Sequence, residues 1–335
     1  MTTAGQIVGG RYRLVRPLGS GGMGSVWVAQ HLVMGTEVAL KVLSPELLRH
    51  PIAIARFKRE AQAAANLRSP YVVKIFDQDL DPETGPFIVM ELLDGEDLGT
   101  RLRRVGRLDP PTLSSIISQV GRGLSRAHTS GVVHRDLKPD NIFLVPDIDG
   151  PELVKVLDFG VAKADSPLAV GTGKTATGVL IGTLSYMSPE QAQGRTVDHR
   201  TDLWAMGVIA FEAMLGRKPF DEEAMGAVIL QICVAPLPIP SRLDPGLPQG
   251  FDDWFAKAVN RDPTKRFQSA QELTRALAAI CDPSASRLSF SGDTQSTHKK
   301  APASSKGAGV TAQASSRAWE QAGERPRVGR ETYRI

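Results

Sequence analysis

The stretch His134-Arg135-Asp136-Leu137-Lys138-Pro139-Asp140-Asn141, followed by Asp158-Phe159-Gly160, places a carboxylate base, a lysine and two hard oxygen donors close together in the chain. These are the parts needed to move a phosphoryl group from a metal nucleotide to a hydroxyl. In that chemistry Asp136 orients the attacking hydroxyl and accepts its proton, because the transition state is stabilised mainly by placed charge. Lys138 neutralises the migrating group. Asn141 offers a neutral oxygen and Asp158 a charged one, a set suited to Mg²⁺. Singly, Asp136 or Asp158 reads as a turn or cap residue. The ordered constellation is what carries the signal.

Two further features fit a nucleotide. Leu18-Gly19-Ser20-Gly21-Gly22-Met23-Gly24-Ser25-Val26 contains Gly-x-Gly-x-x-Gly-x-Val. Glycines let the backbone approach phosphates and offer N–H groups with no Cβ in the way. A dinucleotide fingerprint needs a helix after the glycines, and here a strand follows. Lys41 stands inside the apolar run Val38-Ala39-Leu40-Lys41-Val42, where a charge is costly unless an anion meets it. Glu60, one turn from Phe57 on the next predicted helix, can face the sheet and pair with Lys41, aiming the ammonium at phosphates.

The elements that must position these groups follow from period and punctuation. Tyr12 to Leu43 reads as three strands, with a turn at Met34-Gly35. Pro51 opens a helix to about Leu67, with Ile54, Phe57 and Ala61 at helical spacing. Strands are predicted at Val72 to Asp77 and Phe87 to Leu92. Beyond Asp94-Gly95 the pattern turns mostly helical. A helix runs from Pro110-Pro111 to about Ser130, stopped by Gly131. Short strands follow at Ile142 to Val145 and Val154 to Leu157. Helices are predicted at Asp202 to Leu215, Glu223 to Cys233, Gly250 to Val259 and Ala270 to Ile280.

Composition bounds the class. The chain has 335 residues, 41% hydrophobic and 23% charged, room for two lobes and a tail. From Ser284 on there are nine Lys/Arg against four Asp/Glu, so the first 283 residues carry a net −1 of the total +4. The pI of 9.1 therefore belongs to the tail, which argues against nucleic acid as a partner of the folded part. Cys233 and Cys281 form no metal-ligand pattern and are expected to be reduced, as in a cytoplasmic protein. The N-terminal residues carry no secretory signal. The most apolar stretch, near Leu203 to Leu215, contains Glu212 and is too short to span a bilayer, so no membrane insertion is expected. From Pro283 the Ser, Ala, Gly and Thr content removes all apolar periodicity, and a disordered basic tail over 283–335 is expected.

The chain resembles a protein kinase of the eukaryotic-like type, most closely a bacterial serine/threonine protein kinase. The resemblance runs from about Tyr12 to Ile280. It rests on Gly19 to Val26, Val-Ala-Leu-Lys at Lys41, Glu60, His134 to Asn141, Asp158-Phe159-Gly160, Gly182-Thr183, Ser188-Pro189-Glu190, Asp202 and Arg266. It implies an α+β, bilobal fold: a short segment 1–11, then a kinase domain 12–282. The antiparallel β-sheet lobe with one main helix covers about 12–92, and the larger, mostly helical lobe about 95–282.

The resemblance implies ATP in the cleft with Mg²⁺, Mn²⁺ being able to substitute. Val26 and Ala39 would cover the adenine, Phe143 would lie beneath it, Met90 would be the gatekeeper, and Glu91 to Leu93 the hinge. Lys138 and Thr183 would mark the serine/threonine branch. Glu190 and Arg266 would form a buried ion pair, and Asp202 would brace the catalytic loop. Arg135 would hold a phosphorylated activation segment, with Thr175 and Thr177 as autophosphorylation sites. Ser188 departs from the usual Ala, a change expected to be harmless. The implied partners are protein substrates with Ser or Thr, a regulatory partner protein and a second copy through the small lobe. The chain shows no transmembrane or sensor segment after the kinase, so a cytoplasmic enzyme in signalling is expected. The alternatives are a pseudokinase that binds nucleotide without turnover, and a small-molecule kinase, against which the peptide-seating segment Gly182 to Glu190 argues.

Overall fold

The computed structural model of the chain describes residues 2–21, 24–147, 150–159 and 184–282, and within them all side chains but those of Arg56, Glu60 and Ala63. The alternating pattern after Tyr12 forms the three expected strands, β2 (Tyr12–Gly21), β3 (Gly24–His31) and β4 (Glu37–Leu43). The β3–β4 turn closes on Gly35, at φ +70° with its N–H 2.8 Å from the His31 carbonyl. With β1 (Ile7–Val8), β5 (Ile75–Asp81) and β6 (Gly85–Met90) they make one antiparallel sheet in the order β1-β2-β3-β4-β6-β5.

Register assigns the faces. Lys41 pairs with Val26 and Ile88, and Ala39 with Val28 and Met90, so these six residues share one face. Leu40, Val42, Trp27, Phe87 and Val89 fall on the other and bury together with Tyr12 and Leu14. The sheet curls until its two ends meet. The Gly9 N–H donates to Asp81 Oδ2 at 2.8 Å, and the Tyr12 hydroxyl to Asp77 Oδ2 at 3.1 Å. Gly9 is required there, since a Cβ would stand 2.5 Å from the Phe87 ring.

Helix α1 (Pro51–Ala65) begins on its proline and lays Phe57 and Ala61 against Leu43 and Ile88. The strands expected at Val72 to Asp77 and Phe87 to Leu92 are shifted. Val72 and Val73 join a different strand, the Val73 N–H donating to the Val156 carbonyl at 3.0 Å. The β5–β6 turn is set instead by Asp81, whose Oδ1 accepts the N–H groups of Glu83 (3.0 Å) and Thr84 (2.8 Å).

The rest of the described chain is mostly helical. A three-stranded sheet, β7 (Glu96–Asp97), β8 (Ile142–Val145) and β9 (Leu153–Val156), lies beside α2 (Leu98–Val105) and α3 (Pro110–Thr129). Asp97 caps α2 by accepting the Thr100 N–H at 2.8 Å, and Asp109 caps α3 in the same way from Thr112 at 2.9 Å. Then come α4 (Pro189–Ala192), α5 (Arg200–Leu215), α6 (Met225–Cys233), α7 (Pro240–Leu243), α8 (Phe251–Ala258) and α9 (Ala270–Cys281). The later helices expected from sequence appear with ends moved by one or two residues.

Helix α5 is buried almost all round, as its apolar run implied, and packs with Leu113, Leu124, Phe255 and Leu277 in one core. Glu212, its one acid in that run, accepts the Tyr186 hydroxyl. Among the described residues no helix is long and apolar enough to cross a membrane. The tail from Pro283 lies outside the described residues.

Candidate active site

The segment His134–Asn141 connects the end of α3 to β8. Two non-glycine residues here have positive φ, Arg135 at +64° and Asp158 at +42°. Such backbone is strained and persists where surrounding bonds over-determine it. Asp202, near the start of α5, supplies part of that. Its Oδ2 accepts the His134 N–H (2.9 Å) and His128 Nε2 (2.8 Å), and its Oδ1 accepts the Arg135 N–H (2.9 Å). Burial alone would push the Asp202 carboxyl up, but the hydrogen bond and charge of His128 and the backbone N–H of His134 outweigh it and hold the pKa below the usual carboxylate range.

His134 is fixed at both ring nitrogens. Nε2 lies 2.8 Å from the Leu157 carbonyl and Nδ1 accepts the Asp136 N–H at 3.2 Å, so the ring proton is on Nε2. The imidazole packs on Phe159 with centroids 4.9 Å apart. Asn141 donates through Nδ2 to the Asp136 carbonyl at 2.8 Å, which leaves its Oδ1 as the atom for a cation. The Leu157 N–H in turn donates to the Asn141 carbonyl at 2.9 Å. Asp136, Asn141 and the residue preceding Asp158 are thus tied by consecutive hydrogen bonds.

Lys41, 8% exposed, donates from Nζ to Asp158 Oδ1 at 2.8 Å. The Asp158 side chain is about half exposed, and the charge and hydrogen bond of Lys41 hold its carboxyl below the usual range. The expected Lys41–Glu60 pair lies outside the described side chains, although Glu60 is on α1. A cavity of about 20 Å³ beside this pair is lined by Lys41, Ala64, Ile88, Met90, Asp158 and Phe159. Asn141 and Asp158 are hard oxygen donors, and a divalent ion held by two such groups completes its shell with phosphate oxygens and water.

Of the glycine-rich run, Leu18 to Gly21 end β2 and Gly24 to Val26 begin β3, while Gly22 and Met23 lie outside the described residues. The pairing of Ser20 with Ser25 and Gly21 with Gly24 carries the hairpin to its tip. Met90 ends β6 on the same face as Ala39 and Lys41.

Past Met90, Glu91 engages its neighbours through both backbone and side chain. Its N–H donates to the Lys74 carbonyl at 2.9 Å, and its Oε1 accepts the Lys74 N–H and Lys155 Nζ, each at 2.7 Å. The carboxylate is therefore committed away from the cleft. Leu93 follows, and Phe143 pairs on β8 with Lys155 and Asp97. Thr175, Thr177, Gly160, Gly182 and Thr183 lie outside the described residues.

Sequence reasoning passed over His128, Lys155 and Gln191. Lys155, in Val154-Lys155-Val156, carries the same signal that singled out Lys41, a charge inside an apolar strand. Glu190 and Arg266 do pair, Arg266 giving two 2.7 Å bonds to the carboxylate.

The protein kinase domain family matches residues 12–277. Serine/threonine-protein kinase Pkn1 of Myxococcus xanthus is 41% identical over 269 residues, 80% of this chain and 38% of that protein. Serine/threonine-protein kinase pkn3 of the same organism is 39% identical over 279 residues, 82% of this chain and 51% of that protein. The chain thus spans about four tenths to one half of these curated relatives. Among solved structures, the PknI kinase domain of Mycobacterium tuberculosis superposes with a TM-score of 0.65 at 28% identity, over 84% of this chain and all of that one. The chain belongs to the protein kinase domain family.

Proposed function

We propose that the protein transfers the γ-phosphoryl group of ATP to serine and threonine hydroxyls of protein substrates, in signalling. The observation that carries this reading is the Lys41–Asp158 pair at 2.8 Å, joined to the segment that holds Asp136 and Asn141. In this reading the face bearing Val26, Ala39 and Met90 takes the adenine against Phe143. The carbonyl of Glu91 and the backbone of Leu93 are left to recognise its edge. The hairpin from Leu18 to Val26, Gly22 and Met23 included, covers the phosphates, and Lys41, oriented by Glu60, neutralises them. Asn141 and Asp158 hold Mg²⁺, or Mn²⁺ in its place, which when bound offsets phosphate charge. Asp136 receives the substrate hydroxyl proton and Lys138 meets the migrating group.

The reading extends to autophosphorylation at Thr175 and Thr177, with new negative charge pairing with Arg135. It carries with it a cytoplasmic site of action, where ATP is available. A regulatory partner protein would supply the signal. A small-lobe homodimer belongs to the same reading.

The test is Mg²⁺-dependent transfer of labelled phosphate to a generic basic protein. Transfer is expected from the parent and absent from Asp136→Asn, with phosphate on Thr175 or Thr177 by mass spectrometry. Nucleotide binding without any transfer by the parent would reject the enzyme in favour of a binding module.

A further inference from the structure

Arg135, with its φ of +64°, immediately precedes Asp136. The peptide that joins them has two polar atoms, and both are held. His134 Nδ1 accepts the Asp136 N–H at 3.2 Å, and Gln191 Nε2 donates to the Arg135 carbonyl at 2.8 Å. Along this backbone Asp202 grips the preceding N–H groups, those of His134 and Arg135. Gln191 is therefore the side chain that holds the carbonyl edge of the peptide leading into the base.

Two buried hydroxyls aim the Gln191 amide. Thr201 Oγ1 donates to Gln191 Oε1 at 2.7 Å, and the Ser188 N–H donates to the same oxygen at 3.1 Å. With two donors on Oε1, the amide cannot turn over without breaking these bonds and the one to Arg135. Ser188 Oγ lies 2.7 Å from Thr201 Oγ1 and 3.2 Å from Gln191 Oε1, so the two hydroxyls and the amide oxygen form one hydrogen-bonded triangle in which either hydroxyl can be the donor to the other. That triangle turns the Gln191 N–H toward the Arg135 carbonyl. Ser188 is 0% and Thr201 1% exposed, so no water competes for these bonds. Ser188 is also where the sequence departs from the usual Ala. Its hydroxyl is a member of this network.

We propose that Gln191, aimed by Ser188 and Thr201, is a positioning residue for Asp136. It fixes the plane of the Arg135–Asp136 peptide and thereby the direction of the base. This rests on the kinase reading of the site. A base misplaced by about 1 Å loses up to a hundredfold in rate, while the distant adenine face is untouched.

The experiment uses the full chain with a peptide substrate. Gln191→Glu keeps the shape but sets an acceptor oxygen against a carbonyl. Thr201→Val removes the hydroxyl at equal volume, and Thr201→Ser keeps it. Gln191→Glu and Thr201→Val are expected to lower kcat on the order of ten- to a hundredfold. The KM for ATP should stay at the parent value in variants that are folded at the assay temperature, and Thr201→Ser should retain the parent kcat. Unchanged kcat in both variants, or a kcat loss that merely follows lost ATP affinity and melting temperature, would overturn the proposal. Should Gln191→Glu fail to fold, the Thr201→Val and Thr201→Ser pair decides alone. A parent that transfers no phosphate sinks the kinase reading itself, a result distinct from an active parent with indifferent variants.

Discussion

Arg266 is fully buried, and its guanidinium uses every nitrogen. Two bonds go to Glu190 at 2.7 Å each, and the others to the carbonyls of Asn260 (2.6 Å) and Arg200 (3.0 Å). The Trp204 ring lies 5.2 Å from the guanidinium carbon. A charge so placed cannot recover water if its partner is removed. Glu190→Ala is therefore expected to lose about 3–5 kcal/mol of unfolding free energy in urea titration. A loss within experimental error would mean that the carbonyls alone hold the arginine.

Asp202 makes a different demand, one that depends on pH. Its folded pKa lies below the unfolded value, so its stabilising share is complete above roughly pH 4, the unfolded carboxylate range, and is lost as pH falls through the lower folded value. The parent should lose unfolding free energy below roughly pH 4. Asp202→Asn, weaker at neutral pH, should show a shallower acid limb. Superimposable acid limbs would remove Asp202 as their source.

Among the elements, the β2–β3 hairpin is held to β4 by the absence of a side chain. Gly24 has φ +150°, and a Cβ there would stand 1.9 Å from the Val42 carbonyl oxygen. Gly24→Ala must lift the hairpin tip, at a strain of about 1–3 kcal/mol. That strain falls on the hairpin proposed to cover the phosphates, and ATP affinity is expected to drop about tenfold by calorimetry. Full affinity would place the phosphates elsewhere.

Elements set by local period and punctuation were legible in the sequence: β2 to β4, α3 between Pro110 and Gly131, and the buried α5. The offset of β5 was not, because Val72 and Val73 bond to Val156, a partner no local window contains. Helix α2 escaped as well. Leu98, Leu102 and Val105 do stand at helical spacing, but the eight residues of the helix are shorter than the window over which a helical period can be read. Within the site the same division holds. Asp136, Lys138, Asn141 and Asp158 stand in contiguous motifs, whereas Gln191 and Lys155 act on residues 56 and 64 positions away.

Over the whole molecule, polar ties among the described residues join the curled sheet and the segment leading into it to the helical part. Lys41 reaches Asp158 at 2.8 Å, Lys155 reaches Glu91 at 2.7 Å, and Val73 meets Val156 at 3.0 Å. The proposed nucleotide site draws Val26, Ala39 and Lys41 from one side of the cleft, and Asn141, Phe143 and Asp158 from the other. A ligand bridging both sides binds the folded molecule and not the unfolded chain, so it must stabilise the two parts together. At one hundred times its dissociation constant, ATP with Mg²⁺ should add about 2.7 kcal/mol. For a chain of this size that corresponds to a rise in melting temperature of roughly 4–5 °C. The metal-dependent share should vanish with a chelator. It should be missing in Asp158→Asn even with Mg²⁺ present, because the charged half of the proposed ion site is gone while the adenine face remains. A shift that survives both the chelator and Asp158→Asn would assign the stabilisation to the adenine face alone and leave the metal no role at Asp158.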